Sequence, residues 1–208
     1  MTAWIQSIIA TIESMSTWEL LAVILAITYL LLAVRENVLC WLFAFVSTAI
    51  YTVLFWDVSL LMDSALNIYY MAMAVFGWYQ WTRGGTNSSE APQALAVRSM
   101  SAKQHALVIS AITTLCLVSG YLLSEHSSAA WPYVDSFTTW ASVITTYLVT
   151  QKYLQNWLYW IVIDAVSVPL YIDRGLNLTA LLFVAYIVIA VFGYFSWRRH
   201  FYEQAYAH

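Results

Sequence analysis

Apolar runs of roughly the length that crosses a lipid bilayer follow one another along this chain. A helix needs about 20 mostly apolar residues to span the hydrocarbon core. The backbone there must satisfy its polar groups internally, which favours helices. The predicted spans are residues 17–34, 38–56, 60–81, 105–123, 136–150, 157–172 and 178–197. We therefore expect an all-α integral membrane protein with seven transmembrane helices.

The composition supports this conclusion, because the chain is too poor in charge to cover a water-exposed surface. Charged residues make up 9% of it, against about 25% in soluble domains. The 11 Trp and 15 Tyr residues suit the boundary between membrane lipid and water. No basic block indicates a nucleic-acid partner. Cys40 and Cys116 lie in apolar runs, where free thiols are typical.

The segments outside the spans divide the chain further. Residues 1–16 lack Lys and Arg and place apolar residues at helical spacing, which predicts an amphipathic helix on the membrane surface or a frayed terminus. The predicted divisions are an N-terminal interfacial segment (1–16), a first three-helix repeat (17–81), a cytoplasmic linker (82–104), a linker helix (105–123), a second three-helix repeat (136–197) and a cytoplasmic tail (198–208).

Basic residues are distributed unevenly between the two sets of loops. Seven of the eight Lys and Arg residues fall on the side that holds the C-terminus, and Arg174 alone falls on the other side. The positive-inside rule then predicts that the N-terminus lies outside and the C-terminus in the cytoplasm.

An ordered match between the third and seventh spans indicates an internal duplication. The sequence AVFGWYQW at 74–81 matches AVFGYFSW at 190–197, with an offset of 116. Further upstream the matches, at an offset of 119, are Asn37 with Asn156 and Trp41 with Trp160. Two three-span units become parallel when a fourth span separates them. Parallel repeats of this kind are a transporter architecture with the substrate near the midplane.

The sixth span carries a polar and aromatic stripe. Asn156, Trp160, Asp164, Ser167 and Tyr171 are three or four residues apart, which places them on one helix face. An Asp near the bilayer centre costs about 2.5–3.5 kcal/mol on insertion scales, so it normally faces a cavity or a partner. The alternative is a structural Asp that is protonated or hydrogen-bonded to Ser or Thr.

A similar stripe on the third span contains Asp63, Asn67, Tyr70, Gly77, Trp78 and Trp81. Asn67 can donate and accept hydrogen bonds to a substrate, although interhelical bonding is an equal alternative. The full set of predicted substrate-binding residues is Asp164, Asn67, Trp160, Trp41, Asn156, Ser167, Tyr70, Trp78, Thr145, Thr179 and Tyr186.

An aromatic cavity with one carboxylate suits a flat organic cation, because ring faces attract desolvated cations by about 2 kcal/mol or more.

Enzymatic chemistry has less support. The four histidines lie at span ends or outside the spans, which leaves no imidazole base or metal cluster at depth. We expect no cofactor and no enzyme activity. A non-transporting membrane receptor or structural protein is the alternative of another class.

At these residues the chain resembles the Pnu-type vitamin transporter family, whose members include the PnuC-like nicotinamide riboside transporters. The resemblance rests on YLQNWLYW at 153–160 with Asp164 after it, and on GWYQW at 77–81. It extends over about residues 18–197. One departure is Leu-Asn-Ile-Tyr-Tyr at 66–70, where the family often has Leu-Gln-x-x-Tyr.

The resemblance implies a homotrimeric transporter of the bacterial inner membrane with a three-plus-one-plus-three fold, the full-length SWEET-like arrangement. Such proteins are facilitators with alternating access, and a cytoplasmic kinase traps the substrate by phosphorylation. The implied substrate is nicotinamide riboside, with thiamine as the alternative, since both are aromatic cations. Proton coupling through Asp164 is the mechanistic alternative to facilitated diffusion.

Overall fold

The computed structural model describes residues 6, 9–10, 15–57, 61–84, 95–126, 131–173 and 175–206, except for the side chains of 61–63 and 205. From residue 15 onward these residues form seven helices. They are α1 (Thr17–Val34), α2 (Cys40–Asp57), α3 (Leu61–Arg83), α4 (Ala102–His126), α5 (Pro132–Thr150), α6 (Asn156–Asp173) and α7 (Asn177–Tyr206).

Each predicted span corresponds to one of these helices, so the prediction of an all-helical fold is confirmed. Within the described residues, α1, α2, α4 and α7 are long and apolar enough to cross a membrane. Of the remaining three, α3 and α6 carry the predicted polar stripes, and α5 is rich in Thr and Ser. The interfacial segment predicted over 1–16 lies mostly outside the described residues, and Arg174 also lies outside them.

The helices pack in two sets of three. In the first half (α1–α3), α2 packs against both α1 and α3, and in the second half (α5–α7), α6 packs against both α5 and α7. The halves meet twice, where α1 contacts α7 and where α3 contacts α5. Among the described helices, α4 packs mainly against α5, and it also contacts α6, where His105 Nδ1 lies 2.8 Å from the Tyr159 hydroxyl.

Two indole hydrogen bonds join the halves reciprocally. Trp81 at the end of α3 donates its Nε1–H to the carbonyl of Val149 in α5, at 3.2 Å. Trp197 in α7 donates its Nε1–H to the carbonyl of Ala33 in α1, at 2.9 Å. The two donors are 116 residues apart in the sequence, and so are the two acceptors. Each half therefore binds the other through the same pair of positions.

The rings of four tryptophans pack edge to face around these bonds. The centroid of Trp81 lies 5.3 Å from that of Trp41 and 5.8 Å from that of Trp197, and Trp157 lies 5.4 Å from Trp197. We call Trp41, Trp81, Trp157 and Trp197 the tryptophan cluster.

Two glycines, 116 residues apart, make room for this cluster. A Cβ added at Gly77 would overlap the indole of Trp41, and one added at Gly193 would overlap the indole of Trp157. Each glycine is therefore required where an indole lies directly against the helix backbone.

These contacts correct the register of the duplication upstream of the third and seventh spans. Asn37 N–H donates to the Leu32 carbonyl at 3.0 Å, and Tyr153 N–H donates to the Leu148 carbonyl at 3.1 Å. The offset between these two bonds is again 116. Trp41 therefore corresponds to Trp157, and the offset of 119, which pairs Trp41 with Trp160, is wrong.

The two loops that follow α1 and α5 meet at an ion pair. Glu36 and Lys152 are equivalent at the offset of 116, and both have the left-handed backbone that non-glycine residues rarely adopt, with φ of 53° and 51°. Lys152 Nζ lies 2.8 Å from Glu36 Oε2, and the Lys152 side chain is buried while that of Glu36 is 13% exposed. His200 Nδ1 contacts the other carboxylate oxygen at 2.6 Å. Lys152 Nζ also lies 4.7 Å from the centre of the Trp81 ring.

Part of the segment predicted as a linker packs against this end of the bundle. In residues 95–101, the side chains of Leu95, Val97 and Met100 are buried. Arg98 pairs its backbone with the loop after α5, accepting from Leu154 N–H at 2.8 Å, and its guanidinium donates to Gln151. The seven basic residues at this end, which we call the basic end, are Arg35, Arg83, Arg98, Lys103, Lys152, Arg198 and Arg199.

Replacing Glu36 by Gln should destabilise the protein strongly, because it leaves the buried Lys152 ammonium without its carboxylate. Breaking one partner of a buried pair typically costs about 3–5 kcal/mol. Thermal unfolding of the detergent-purified protein measures the change. The double variant Glu36→Gln with Lys152→Met should recover most of the loss, since no unpaired charge remains.

The matched control is Glu203→Gln, which removes the carboxylate of the exposed Arg199–Glu203 pair. Exposed pairs contribute little, so its melting temperature should stay close to that of the wild type. Equal shifts for Glu36→Gln and Glu203→Gln would contradict a structural role for the buried pair.

Candidate functional site

A cavity of about 590 Å³ lies between α1, α3, α5, α6 and α7. Its volume falls within the range of about 300–1,000 Å³ that is usual for small-molecule sites. The helix α6 contributes the largest share of its lining. The lining residues on that helix are Trp157, Trp160, Ile163, Asp164, Ser167, Leu170 and Tyr171.

Asp164 supplies the cavity with a carboxylate at mid-helix. The residue is 4% exposed, and no hydrogen-bond or ion-pair partner of its side chain exists among the described residues. Burial of an unpaired carboxylate is costly, so the site is prepared for a ligand that brings a positive charge or a hydrogen-bond donor.

Aromatic rings cover much of the remaining wall. Tyr171 and Phe183 have their centroids 5.0 Å apart, and Phe183 and Tyr186 have theirs 5.7 Å apart in an edge-to-face arrangement. Trp160 and Tyr70 face the same cavity from α6 and α3. Such a wall offers ring faces for stacking and for contact with a cation.

The two ends of the cavity differ. Asp135 and the exposed Thr139, in the first turns of α5, line the end remote from the basic end. At the other end Trp157 lines the floor, and the rest of the tryptophan cluster lies behind it. The Glu36–Lys152 pair and the docked residues 95–101 cover the loops beyond the cluster. The cavity therefore extends toward one end of the bundle and is closed at the basic end.

A second cavity of about 160 Å³ adjoins the first. Trp41, Ala44, Ser47 and Thr48 of α2 line it, together with Thr146 of α5. Four further residues line both cavities and so lie between them, namely Ala26, Tyr29, Tyr70 and Trp160.

The structure brings together five of the residues predicted to bind substrate. They are Asp164, Trp160, Ser167, Tyr70 and Tyr186, all of which line the large cavity. The Ser167 hydroxyl donates a hydrogen bond to the Ile163 carbonyl of its own helix, at 2.9 Å. Trp41 lines the small cavity.

The other five predicted residues line neither cavity. Asn67 is buried, Thr179 is half-buried, and Trp78 is 40% exposed on the outer surface of α3. Asn156 and Thr145 are fully buried. The Asn156 amide donates to the Tyr153 carbonyl at 2.7 Å, which caps the loop before α6. These residues stay predictions as substrate ligands, and their present contacts are with protein.

Several lining residues are absent from the predicted set. Three of them could have been found from the sequence, because their hydroxyl groups make the fifth span less apolar than the others. They are Thr138, Thr139 and Ser142 of α5. Tyr171 belongs to the stripe predicted on the sixth span but not to the predicted binding set, and Phe183 lies on the seventh span, for which no stripe was predicted. Tyr29 in α1 had no distinguishing signal, since it is one of 15 tyrosines in an otherwise apolar run. Within the described residues, no three His, Cys, Asp or Glu side chains cluster as a metal site would require.

Comparisons with known proteins agree on one family. Residues 16–199 match the family model described as nicotinamide mononucleotide transporter. The nicotinamide riboside transporter PnuC of Escherichia coli (strain K12) is 23% identical over 188 residues, which covers 80% of this chain and 78% of that protein. The riboflavin/roseoflavin transporter RibM of Streptomyces davaonensis is 25% identical over 128 residues, which covers 61% of this chain and 59% of that protein.

The fold has a counterpart in a crystal structure of the vitamin B3 transporter PnuC. The two structures have a TM-score of 0.72 over 96% of this chain and 88% of that chain, at 22% sequence identity. At that identity the likeness establishes the fold. The relatives named here are transporters, in agreement with the prediction that this chain is not an enzyme. With nearly the whole chain matched by its model, this protein belongs to the nicotinamide mononucleotide transporter family, as a PnuC-like membrane transporter.

Proposed function

We propose that this protein takes up a cationic aromatic vitamin precursor, nicotinamide riboside in the first place, across the bacterial inner membrane. The observation that carries the proposal is the buried carboxylate of Asp164 in an aromatic cavity, where no other described residue pairs with it. A pyridinium ring carries its positive charge in a flat aromatic system. Its charge would pair with the carboxylate, and the same ring would stack on the faces of Trp160 and Tyr186.

The charge of the cavity favours a substrate without a phosphate group. Among its described lining residues there is no Lys, Arg or His, whereas Asp164 and Asp135 are both acidic. Phosphate sites in proteins are built from Arg, Lys or backbone N–H groups. A nucleoside therefore fits this cavity better than the mononucleotide that gives the family its description.

Thiamine is the alternative substrate, because it is also an aromatic cation and would use the same carboxylate. A neutral flavin, which RibM is named for, would use the rings and leave Asp164 unpaired. The alternative of another class is a membrane receptor or structural protein that binds a ligand in the cavity without moving it.

We further propose facilitated diffusion by alternating access between two parallel three-helix repeats. The reciprocal bonds of Trp81 and Trp197 and the constant offset of 116 support a three-plus-one-plus-three, SWEET-like arrangement. The clustering of Lys and Arg at one end supports seven crossings with the N-terminus outside and the C-terminus in the cytoplasm. The cavity then faces outward, and inward release requires the contacts at the basic end to separate.

The resemblance to the family supplies two partners in this proposal. One is a cytoplasmic kinase that phosphorylates the substrate and so prevents its return. The other is the chain itself, as a homotrimer in membrane lipid.

The decisive experiment is uptake by purified protein in liposomes that contain no kinase, with labelled nicotinamide riboside and thiamine tested side by side. We expect saturable equilibration of nicotinamide riboside without accumulation. Saturable uptake of thiamine alone would reassign the substrate. Saturable binding of either compound without flux would favour the receptor alternative.

Asp164→Asn should weaken binding of the cation, because the amide keeps the shape of the side chain and removes its charge. Desolvated charge pairs are worth about 2–5 kcal/mol, so affinity should fall at least about thirtyfold. Binding and uptake by the purified variant measure the loss. The control is Asp57→Asn, at the exposed end of α2, which should behave as wild type. Full uptake by Asp164→Asn would refute the counter-ion role.

An imposed pH gradient should leave the final level of substrate in the liposomes unchanged when the membrane potential is held at zero, because a facilitator moves its cationic substrate without moving protons. The measurement compares internal substrate at equilibrium with the interior acidic, neutral or alkaline. Accumulation that follows the direction of the gradient, and that is lost in Asp164→Asn, would establish proton coupling instead.

A further inference from the structure

The small cavity is the internal counterpart of the large one. Nine described residues line it, and seven of these have an equivalent, 116 residues away, that lines the large cavity. Trp41 and Trp157 are such a pair, and each packs against an equivalent glycine. Tyr70 and Tyr186 are another. Each half of the molecule therefore builds its own half-site from the same backbone positions.

Two of the differences between the equivalent lining residues change the charge and the bulk of the half-sites the most. Thr48 of the first half stands where Asp164 stands in the second, and Ala44 stands where Trp160 stands. The indole of Trp160 lies against both cavities, whereas Ala44 lines the small one alone. The bulky side chain of one half thus occupies the space that the small side chain of the other leaves.

We propose that Trp160 is the residue that limits substrate size, because its indole is the bulkiest of the four side chains that lie between the two half-sites. This inference deepens the proposed function and rests on it. In the wild type the native substrate occupies the large cavity alone. Removal of the indole joins about 160 Å³ to about 590 Å³ and extends the site from α6 toward α2.

The chemistry of the small cavity determines what the joined site would accept. The Ser and Thr hydroxyl groups that line it are already bonded to backbone carbonyls, Ser47 to Ala22 at 2.8 Å, Thr48 to Ala44 at 2.8 Å and Thr146 to Ser142 at 2.8 Å. Within the described residues it holds no charged side chain. The added space therefore suits uncharged fused aromatic rings, and a wider nucleoside-like compound with three fused rings is the substrate class that should gain.

The test compares wild type with Trp160→Ala, using riboflavin as the probe. We expect riboflavin to compete for binding and to cross liposomes carrying Trp160→Ala at least about tenfold better than those carrying wild type. This is the low end of what one group in a hydrophobic pocket contributes to discrimination. Val162→Ala, two residues away on the exposed face of α6, is the matched control and should keep the wild-type preference.

An exchange of side chains between the half-sites tests the partition directly. The double variant Ala44→Trp with Trp160→Ala returns one indole to the joined space from the opposite half. It should exclude riboflavin again, to within about threefold of wild type. Should Trp160→Ala fail to fold, Trp160→Leu, which keeps an apolar side chain of intermediate size, should show the same gain in smaller measure.

Two results would overturn the proposal. One is a folded Trp160→Ala or Trp160→Leu variant that binds riboflavin no better than wild type does. The other is a double variant that admits riboflavin as well as Trp160→Ala. Failure of the proposed function appears separately, as a wild type that carries neither nicotinamide riboside nor thiamine. Riboflavin binding, followed by flavin fluorescence quenching, still reports on the partition in that case.

Discussion

Two buried indole N–H groups, each donated to a backbone carbonyl of the opposite half, determine how the halves of this molecule meet. The carbonyls of Ala33 and Val149 lie in the last turns of α1 and α5, where each accepts the indole N–H beside a backbone N–H, from Glu36 and Lys152 respectively, at 3.0 Å. An indole N–H without a partner is itself costly away from water. One contact, made twice, therefore satisfies the donors and helps to satisfy the helix ends. It also fixes the tryptophan cluster that closes the cavity at the basic end.

The halves share a backbone plan and differ in the chemistry that they present to the cavity. The second half supplies Thr138, Ser142 and Asp164, whereas the equivalent positions of the first half are Ala22, Ala26 and Thr48. Polar groups thus converge on one wall, and the first half contributes mainly apolar surface and phenol rings. A ligand in this cavity has a polar side and an apolar side to match, which defines its orientation as well as its class.

Hydrophobic periodicity predicted the helices because lipid permits few alternatives, and a central acid on a helical stripe predicted Asp164 and Trp160 as cavity residues. The stripe on α3 was less reliable. Trp78 follows Gly77, which faces Trp41, so its side chain is turned about 100° away, toward the outer surface. From its composition, the segment 82–104 was predicted to be a linker. The buried Leu95 and Val97 nevertheless alternate with polar or small neighbours, and this period of two residues is what an extended segment packed on the bundle requires. The contact of Tyr29 depends on helix packing and had no local signal.

The ion pair between Glu36 and Lys152 has a consequence for symmetry itself. The two residues occupy equivalent loops with the same left-handed backbone, yet one is an acid and the other a base. Two separate, identical three-helix chains related by a twofold axis would place the same residue at both positions, and like charges would face each other in a buried site. Fusion of the halves into one chain lets the two positions diverge into opposite charges. The pair is therefore an attraction that a homodimer of half-length chains cannot form, and it stabilises the fused chain relative to such a dimer.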